Sequence, residues 1–429
     1  MRGRQLDEQV QSAFMRSLRN YLSQLRRFQP NARLYLLYSF ASGFAMGILR
    51  LLFNFYVLSL GYDRAFLGTL VALPPLVIAI LAIPAGMLSH RFGLRFTLVA
   101  GASLMVASIF GVSMSTAAIG LVLFSVSRGL GRTLLSVSNA PFMTENSARM
   151  ERTHLFSVQF ATRLAAMFIG SSIAGALPTF VAWIGGVGAE DALAYRASLW
   201  ICTAVYALAI VPLIRLPRTS PSAEGQPETR LRAMFRNPKQ LARLFIPQVI
   251  IGFGAGVLVP FLNVYFRERF GLSDITVGFL FAFQSVFMAI ATLAGPILAE
   301  RLRRVRAVVF VQLLSIPFLA LLGYAPLISL SVLGFFARAS LMNMGNPLYT
   351  AFAMDAVEPE RRPTASALMQ MSWQGTRSFG AMASGYIQEG PGFSALFPIT
   401  IGCYLLASGL IYAFFGRKEK LPASAETGS

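Results

Sequence analysis

Charge is scarce in this chain of 429 residues. Asp, Glu, Lys and Arg make up 13% of it, against about 25% in a typical soluble protein, and hydrophobic residues make up 55%. A globule of this size that faces water on all sides needs far more polar surface. A soluble enzyme and a disordered chain are therefore excluded. Cysteine is nearly absent: Cys202 and Cys403 fall in apolar runs some 200 residues apart, which excludes a disulfide scaffold. The two histidines, His90 and His154, form no pair with zinc-ligand spacing, so no metal is expected. No Lys follows a Gly, so the loop that cradles nucleotide phosphates is missing, and with it direct ATP hydrolysis. Gly252-Phe-Gly254-Ala-Gly256 lacks the third glycine of a dinucleotide loop, and no Gly-x-Ser-x-Gly elbow occurs. Neither catalysis nor a cofactor is expected. The first 33 residues lack the apolar core of a secretory signal.

What is present is a series of long apolar runs. A bilayer core about 30 Å thick needs roughly 20 mostly apolar residues per helix. Twelve such runs occur, at about 34–59, 65–88, 96–113, 117–141, 155–183, 197–215, 244–266, 275–298, 307–323, 327–347, 364–387 and 394–415. An even number places both termini on one side. If that side is cytoplasmic, the inner segments hold 27 of the 37 basic residues, and the outer loops hold four: Arg64, Arg196, Arg267 and Arg269. This is the positive-inside asymmetry. It explains most of the net charge of +19 and leaves nucleic acid out as a partner. The partners are the lipid bilayer and a small solute.

Residues 1–33 carry Leu6, Val10, Phe14, Leu18, Tyr21/Leu22, Leu25 and Phe28 at helical spacing among arginines, the pattern of an amphipathic helix on the inner leaflet. The stretch 217–243, with Pro217, Pro221, Pro227 and Pro238, is the linker between two halves, 34–216 and 244–416, and 417–429 is a polar tail. The absence of Asn-x-Ser/Thr sites and the short loops fit the inner (plasma) membrane of a bacterium, with a multi-pass chain and both termini cytoplasmic.

The halves repeat. GFAMGILRLLFNFY, from Gly43 to Tyr56, matches GFGAGVLVPFLNVY, from Gly252 to Tyr265; Asn54 falls on Asn263, LSHR (Leu88–Arg91) on LAER (Leu298–Arg301), and Arg128 on Arg338. Matches at one register of 209–210 residues along 200 residues mean duplication. After the second span, Gly86-Met-Leu-Ser-His90-Arg91-Phe-Gly93-Leu-Arg95 is similar to the Gly-x-x-x-Asp-Arg-x-Gly-x-Arg loop of the major facilitator superfamily. His90 stands where that motif has Asp, which puts the usual gate contact of the Asp in doubt. The antiporter pattern of the fifth span is only partly present in Gly170–Pro178. Over 34–416 the chain resembles that superfamily. The resemblance implies an all-α polytopic membrane protein of twelve transmembrane helices in two pseudo-symmetric six-helix bundles. It also implies transport by alternating access, with spans 3, 6, 9 and 12 as outer supports.

Six basic residues lie inside spans: Arg50, Arg128, Arg132, Arg163, Arg338 and Arg377. A mid-bilayer arginine costs about 2.5–3.5 kcal/mol unless it meets water or a partner. Helical spacing puts Gly43, Gly47, Arg50 and Asn54 on one face of span 1. Ser125, Arg128, Arg132, Ser136 and Asn139 share a face of span 4, Gln159 and Arg163 one of span 5, and Gln370, Gln374 and Arg377 one of span 11. The acids near the spans are Glu145 and Asp355, both at inner ends. The interior therefore has no carboxylate of its own; an anionic ligand is one way to complete it, and bonds to backbone carbonyls at a kink or, for Arg132 and Arg163, reach to the inner interface are the other. Arg128 and Arg338 are the first candidates. Asn54 and Asn263 line the cavity or bond helix to helix; Trp373 stacks on a ligand or packs against an arginine. The glycine pairs Gly43/Gly47 and Gly252/Gly256 bring helices close.

At the inner loops, Glu145, Arg91, Arg95 and Arg152 form one expected cluster, and Asp355, Glu300, Arg301 and Arg361 its mate. By resemblance such clusters hold the inner gate shut. The missing mid-span Asp, Glu or His favours exchange or facilitated diffusion over proton symport. The expected function is secondary or facilitative transport of a small organic anion by a monomer. Efflux of lipophilic drugs or lipid-like solutes is the alternative, and a membrane sensor or scaffold that binds without transport is the rival of another class.

Overall fold

The computed structural model describes residues 28–147, 151–217, 238–358 and 362–416. The expected N-terminal amphipathic helix, most of the linker, the C-terminal tail and Arg361 lie outside them, as do the side chains of Glu300 and Arg301.

Twelve helical spans carry the fold among the described residues. The first six are α1 (Pro30–Ser59), α2 (Arg64–Phe92), α3 (Leu94–Met114), α4 (Ala118–Glu145), α5 (Arg152–Ala174, resuming as Leu177–Gly185) and α6 (Ala192–Leu208, resuming as Ile210–Ile214). The second six are α7 (Pro238–Leu258, resuming as Leu262–Phe270), α8 (Asp274–Leu302), α9 (Arg304–Tyr324), α10 (Ile328–Asp355), α11 (Arg362–Glu389) and α12 (Leu396–Ile411). Eleven of them are long and apolar enough to cross a membrane; α11 is the exception, because Gln370, Ser372, Gln374, Thr376, Arg377 and Ser378 dilute its apolar content. The chain is a multi-pass membrane protein. The breaks within spans have local causes: Pro178 opens the second piece of α5, and Pro260 sits in the 3-10 turn Val259–Phe261 that interrupts α7. Proline lacks the N–H that a continuing helix needs.

The repeat is visible in the capping chemistry. Asp63 caps α2 by accepting from the Phe66 N–H at 2.7 Å. Ser273, 210 residues on, caps α8 by accepting from the Thr276 N–H at 3.3 Å. The turn from α2 to α3 passes through Gly93 at φ 84°, ψ 156°, and the turn from α8 to α9 through Arg303 at φ 64°, ψ 152°. That region is essentially reserved for glycine and costs other residues about 1–3 kcal/mol. Gly93 of the loop motif is thus a conformational requirement, and Arg303→Gly is expected to stabilise the protein by about 1 kcal/mol, read as a raised melting temperature in detergent; an unchanged or lowered value would remove the strain argument.

Glycines set the helix approaches. A Cβ on Gly47 of α1 would lie 2.7 Å from the Met167 carbonyl of α5, and one on Gly256 of α7 would lie 2.3 Å from the Arg377 carbonyl of α11. A Cβ on Gly43 would lie 3.0 Å from the Arg163 carbonyl of α5, and one on Gly252 2.4 Å from the Thr376 hydroxyl oxygen of α11. The glycine pairs therefore let α1 seat on α5 and α7 on α11. The two bundles meet chiefly where α2 crosses α11 and α5 crosses α8. There the backbones touch: a Cβ on Gly68 would lie 2.9 Å from the Ala381 carbonyl, and one on Gly175 2.2 Å from that of Asp274. The face at which α1 begins and α12 ends is the tail face, and the opposite one is the distal face.

Candidate functional site

A cavity of about 400 Å³ lies between the bundles, and all six span arginines line it. Arg50 comes from α1, Arg128 and Arg132 from α4, Arg163 from α5, Arg338 from α10 and Arg377 from α11. Asn54, Asn263, Trp373 and Gln374 line it as well. No Asp, Glu or His is among the lining residues. None of the four ion pairs among the described residues involves a cavity arginine.

Three of the arginines are held by aromatic rings and neutral groups instead. The Arg128 guanidinium lies 4.1 Å from the centre of the Phe53 ring. The buried Arg338 donates to the Tyr404 hydroxyl, and its Nε–H meets no acceptor. Arg50 reaches across to the other bundle, donating to Gln284 Oε1 at 3.1 Å and lying 5.1 Å from the Phe281 ring. Rings hold a cation with their quadrupole and carry no charge, so the cavity keeps its positive excess. Tyr404 of α12 and Met105 of α3 reach the cavity, so two spans expected to be only outer supports contribute to it. Of the rest of the expected polar stripes, Asn139 and Gln159 are bonded inside the N-terminal bundle. Asn139 Oδ1 accepts from Tyr35 at 2.8 Å and from Gln159 Nε2 at 2.8 Å. Ser125 is fully buried, and Gln370 does not line the cavity.

The cavity is open toward the tail face. Along α4, Ser125 is 0% exposed and Arg128 8%, while Arg132, one turn further toward the tail face, is exposed. Arg163 of α5 is exposed too. Toward the distal face the cavity is sealed by a pair of amides from matching repeat positions. Asn54 Nδ2 donates to Asn263 Oδ1 at 2.8 Å and to the Pro260 carbonyl at 2.8 Å; Asn263 Nδ2 donates to the Leu51 carbonyl at 2.9 Å. Asn54 and Asn263 thus do both things the sequence offered for them, lining the cavity and tying helix to helix.

An ionic seal lies above this clasp. Arg64 of α2 pairs with Glu268 at 2.7 Å, and its backbone N–H donates to Glu389 at 2.6 Å. Arg267 pairs with Glu190 of the other bundle at 2.7 Å, contacts Asp274 at 3.4 Å and donates to the Tyr195 hydroxyl at 2.8 Å. Tyr195 in turn donates to Asp274 at 2.6 Å across the bundle boundary. The expectation that Glu145 and Asp355 are the acids near the spans is corrected here. Glu268 lies in the last turn of α7 and Asp274 opens α8. Their signal was present in the sequence, because each lies within a few residues of an apolar run and close to an arginine.

On the tail face the expected clusters are not joined by ion pairs among the described residues. Asp355 pairs with Arg304 of its own bundle. Arg95 donates to the Ile214 carbonyl at 2.6 Å and Arg152 to the Thr144 carbonyl at 3.4 Å. Arg91 lies against Phe92. Glu145, His90 and Arg91 are exposed, and Gly86 has open space around it. An open tail face keeps the two clusters apart from each other; it does not account for the pairs missing within each, whose members belong to one bundle.

Two six-helix bundles around a polar cavity, sealed at one face and open at the other, define a polytopic membrane transporter. The sequence profile of the Major Facilitator Superfamily matches residues 35–381 and 244–428, and the chain belongs to that superfamily. No curated protein sequence matches it. Among solved structures it is similar to the nucleoside transporter NupG, with a TM-score of 0.71, 16% identity, and 91% of this chain and 100% of that one covered. It is also similar to a bacterial homologue of the human lysosomal transporter Spinster in an inward-facing, unoccupied conformation (TM-score 0.71, 16% identity, 94% and 99% covered). A third is the human organic anion transporter MFSD10 (TM-score 0.63, 16% identity, 89% and 99% covered). At these identities the likeness carries the fold alone.

Proposed function

We propose that this transporter moves a small organic anion by alternating access, with the tail face cytoplasmic in the inner (plasma) membrane. The observation that carries the reading is six arginines around one cavity with no acidic residue in its lining. Guanidinium groups cannot be deprotonated at physiological pH. A carboxylate, phosphate or sulfonate is the ligand that satisfies their forked donors. Each chain holds a whole cavity between its own two bundles, which supports a monomer as the working unit. The family and the solved neighbours are those of transporters rather than enzymes. The clusters of Glu145, Arg91, Arg95 and Arg152, and of Asp355, Glu300, Arg301 and Arg361, are proposed to meet when the tail face closes.

A second reading has its own support. Met46, Met105, Met167, Met288 and Met342 also line the cavity, and such side chains adapt to varied apolar solutes. That favours efflux of lipophilic drugs. Uptake and counterflow in proteoliposomes, with mono- and dicarboxylates, sugar phosphates and cationic drugs as probes, separate the two. The expected result is transport of one anion class and none of the cations. Transport of cations or neutral lipophiles alone would reverse the order, and binding without flux would leave a sensor.

A further inference from the structure

We infer that this carrier is an obligatory anion exchanger: its cavity changes sides when it holds an anion and stays where it is when empty. The inference rests on the anion reading of the cavity and adds the coupling rule. In the open conformation water reaches Arg132 and Arg163, so their charges cost little. To change sides the protein passes through a state closed at both faces, and that state removes the water. The cavity lining offers neutral amides in its place but no counter-charge. Glu145 lies thirteen residues beyond Arg132 on the same helix, about 20 Å of rise. Asp355 lies seventeen beyond Arg338, about 25 Å, and is held by Arg304. The remaining interfacial acids, Glu190, Glu268, Asp274 and Glu389, belong to the distal seal.

Arg128 and Arg338, 8% and 4% exposed, already lean on Phe53 and Tyr404. The amide oxygens left in the lining, those of Asn343, Asn346 and Gln374, can accept hydrogen bonds but cannot neutralise two more dry charges. Gaining or losing a proton offers no way out, because the lining holds no Asp, Glu or His and arginine stays charged. An anion solves the problem in both directions of the cycle. A cycle in which both crossings are loaded is exchange.

The test is uptake into proteoliposomes of radiolabelled inorganic phosphate, glucose 6-phosphate, succinate and benzoate, each measured in vesicles that hold buffer alone and in vesicles preloaded with the same unlabelled anion. Stripping even one unpaired ion of water slows the empty crossing severely. Preloading is accordingly expected to raise the initial rate of the transported anion about 100-fold or more, and a protonophore is expected to leave the rate unchanged. In the variant Arg132→Gln/Arg163→Gln the empty crossing is expected to speed up, so that the ratio of loaded to unloaded rates falls at least about tenfold. Equal uptake by preloaded and buffer-filled vesicles would overturn exchange and leave the anion site standing. Uptake of none of the four probes in either kind of vesicle would overturn both.

Discussion

Arg128→Gln is expected to lower kcat/KM for the transported anion about 30- to 4000-fold, because losing one partner of a buried, hydrogen-bonded charge pair costs about 2–5 kcal/mol. The same substitution is expected to raise the melting temperature of the empty protein. Arg128 is 8% exposed, has no carboxylate beside it, and is held by the Phe53 ring at 4.1 Å. The ring contact stabilises by about 0.5–2 kcal/mol, whereas an unpaired buried ion costs several. Opposite signs for function and stability are the signature of a residue kept for a ligand. An arginine kept to hold the fold would lose both together. Arg128→Lys is expected to fail as well, since an ammonium group neither offers two parallel donors nor stacks flat on the ring. Initial-rate uptake and thermal melting of the same three preparations check all of this.

The second large effect concerns the resting conformation. Asn54→Ala is expected to move the protein from the tail-open toward the distal-open state. Asn54 donates two hydrogen bonds across the bundle boundary, to Asn263 and to the Pro260 carbonyl. The alanine variant loses both and leaves the acceptors buried. At about 1–3 kcal/mol for a buried group left unpaired, the ratio of the two states shifts about 5- to 150-fold. Asn263→Ala is expected to do the same, as it removes the reciprocal bond to the Leu51 carbonyl. The double variant is expected to add little, because the two residues share one bond and are coupled. Distances between spin labels on the distal ends of α2 and α8 read the shift. Distances unchanged in all three variants would assign the seal to the ion pairs of Arg64 and Arg267 instead.

Much of this could be read from the chain because membranes make certain choices expensive. Twelve apolar runs of bilayer length would leave a soluble protein without a polar surface, so their number alone points to a membrane. The repeat register of Asn54 with Asn263 and Arg128 with Arg338 survives in the structure as one cavity with two-sided chemistry. The six span arginines stand out for the same reason: a charge in that position is costly, and all six turn out to line one cavity.

Other parts were hidden by cheapness. Arg64 and Arg267 look like loop charges, and their partners Glu268, Asp274 and Glu389 sit only a few residues past the apolar runs, where a charge costs almost nothing. Only the crossing of α2 with α11 and of α5 with α8 brings them together. Amides such as Gln284 and Gln374 are similarly ambiguous inside a span, because an interhelical bond and a cavity wall use them equally. Helical spacing also overcounted the polar stripe of α4. Asn139 shares its face with Arg132, yet Tyr35 and Gln159 claim its carbonyl oxygen, and no periodicity distinguishes a side chain spent within its bundle from one left for a ligand.

The most direct measurement is ligand-induced thermal stabilisation of the purified protein against sugar phosphates, mono- and dicarboxylates, amino acids and cationic drugs, with Arg128→Gln and Arg338→Gln alongside. A ligand at about 100 times its dissociation constant stabilises by roughly 2.7 kcal/mol, a shift that melting resolves. A cavity kept for an anion predicts stabilisation by one class of anion, lost in both variants. Stabilisation by cationic or neutral lipophiles alone, undiminished in the variants, would contradict it.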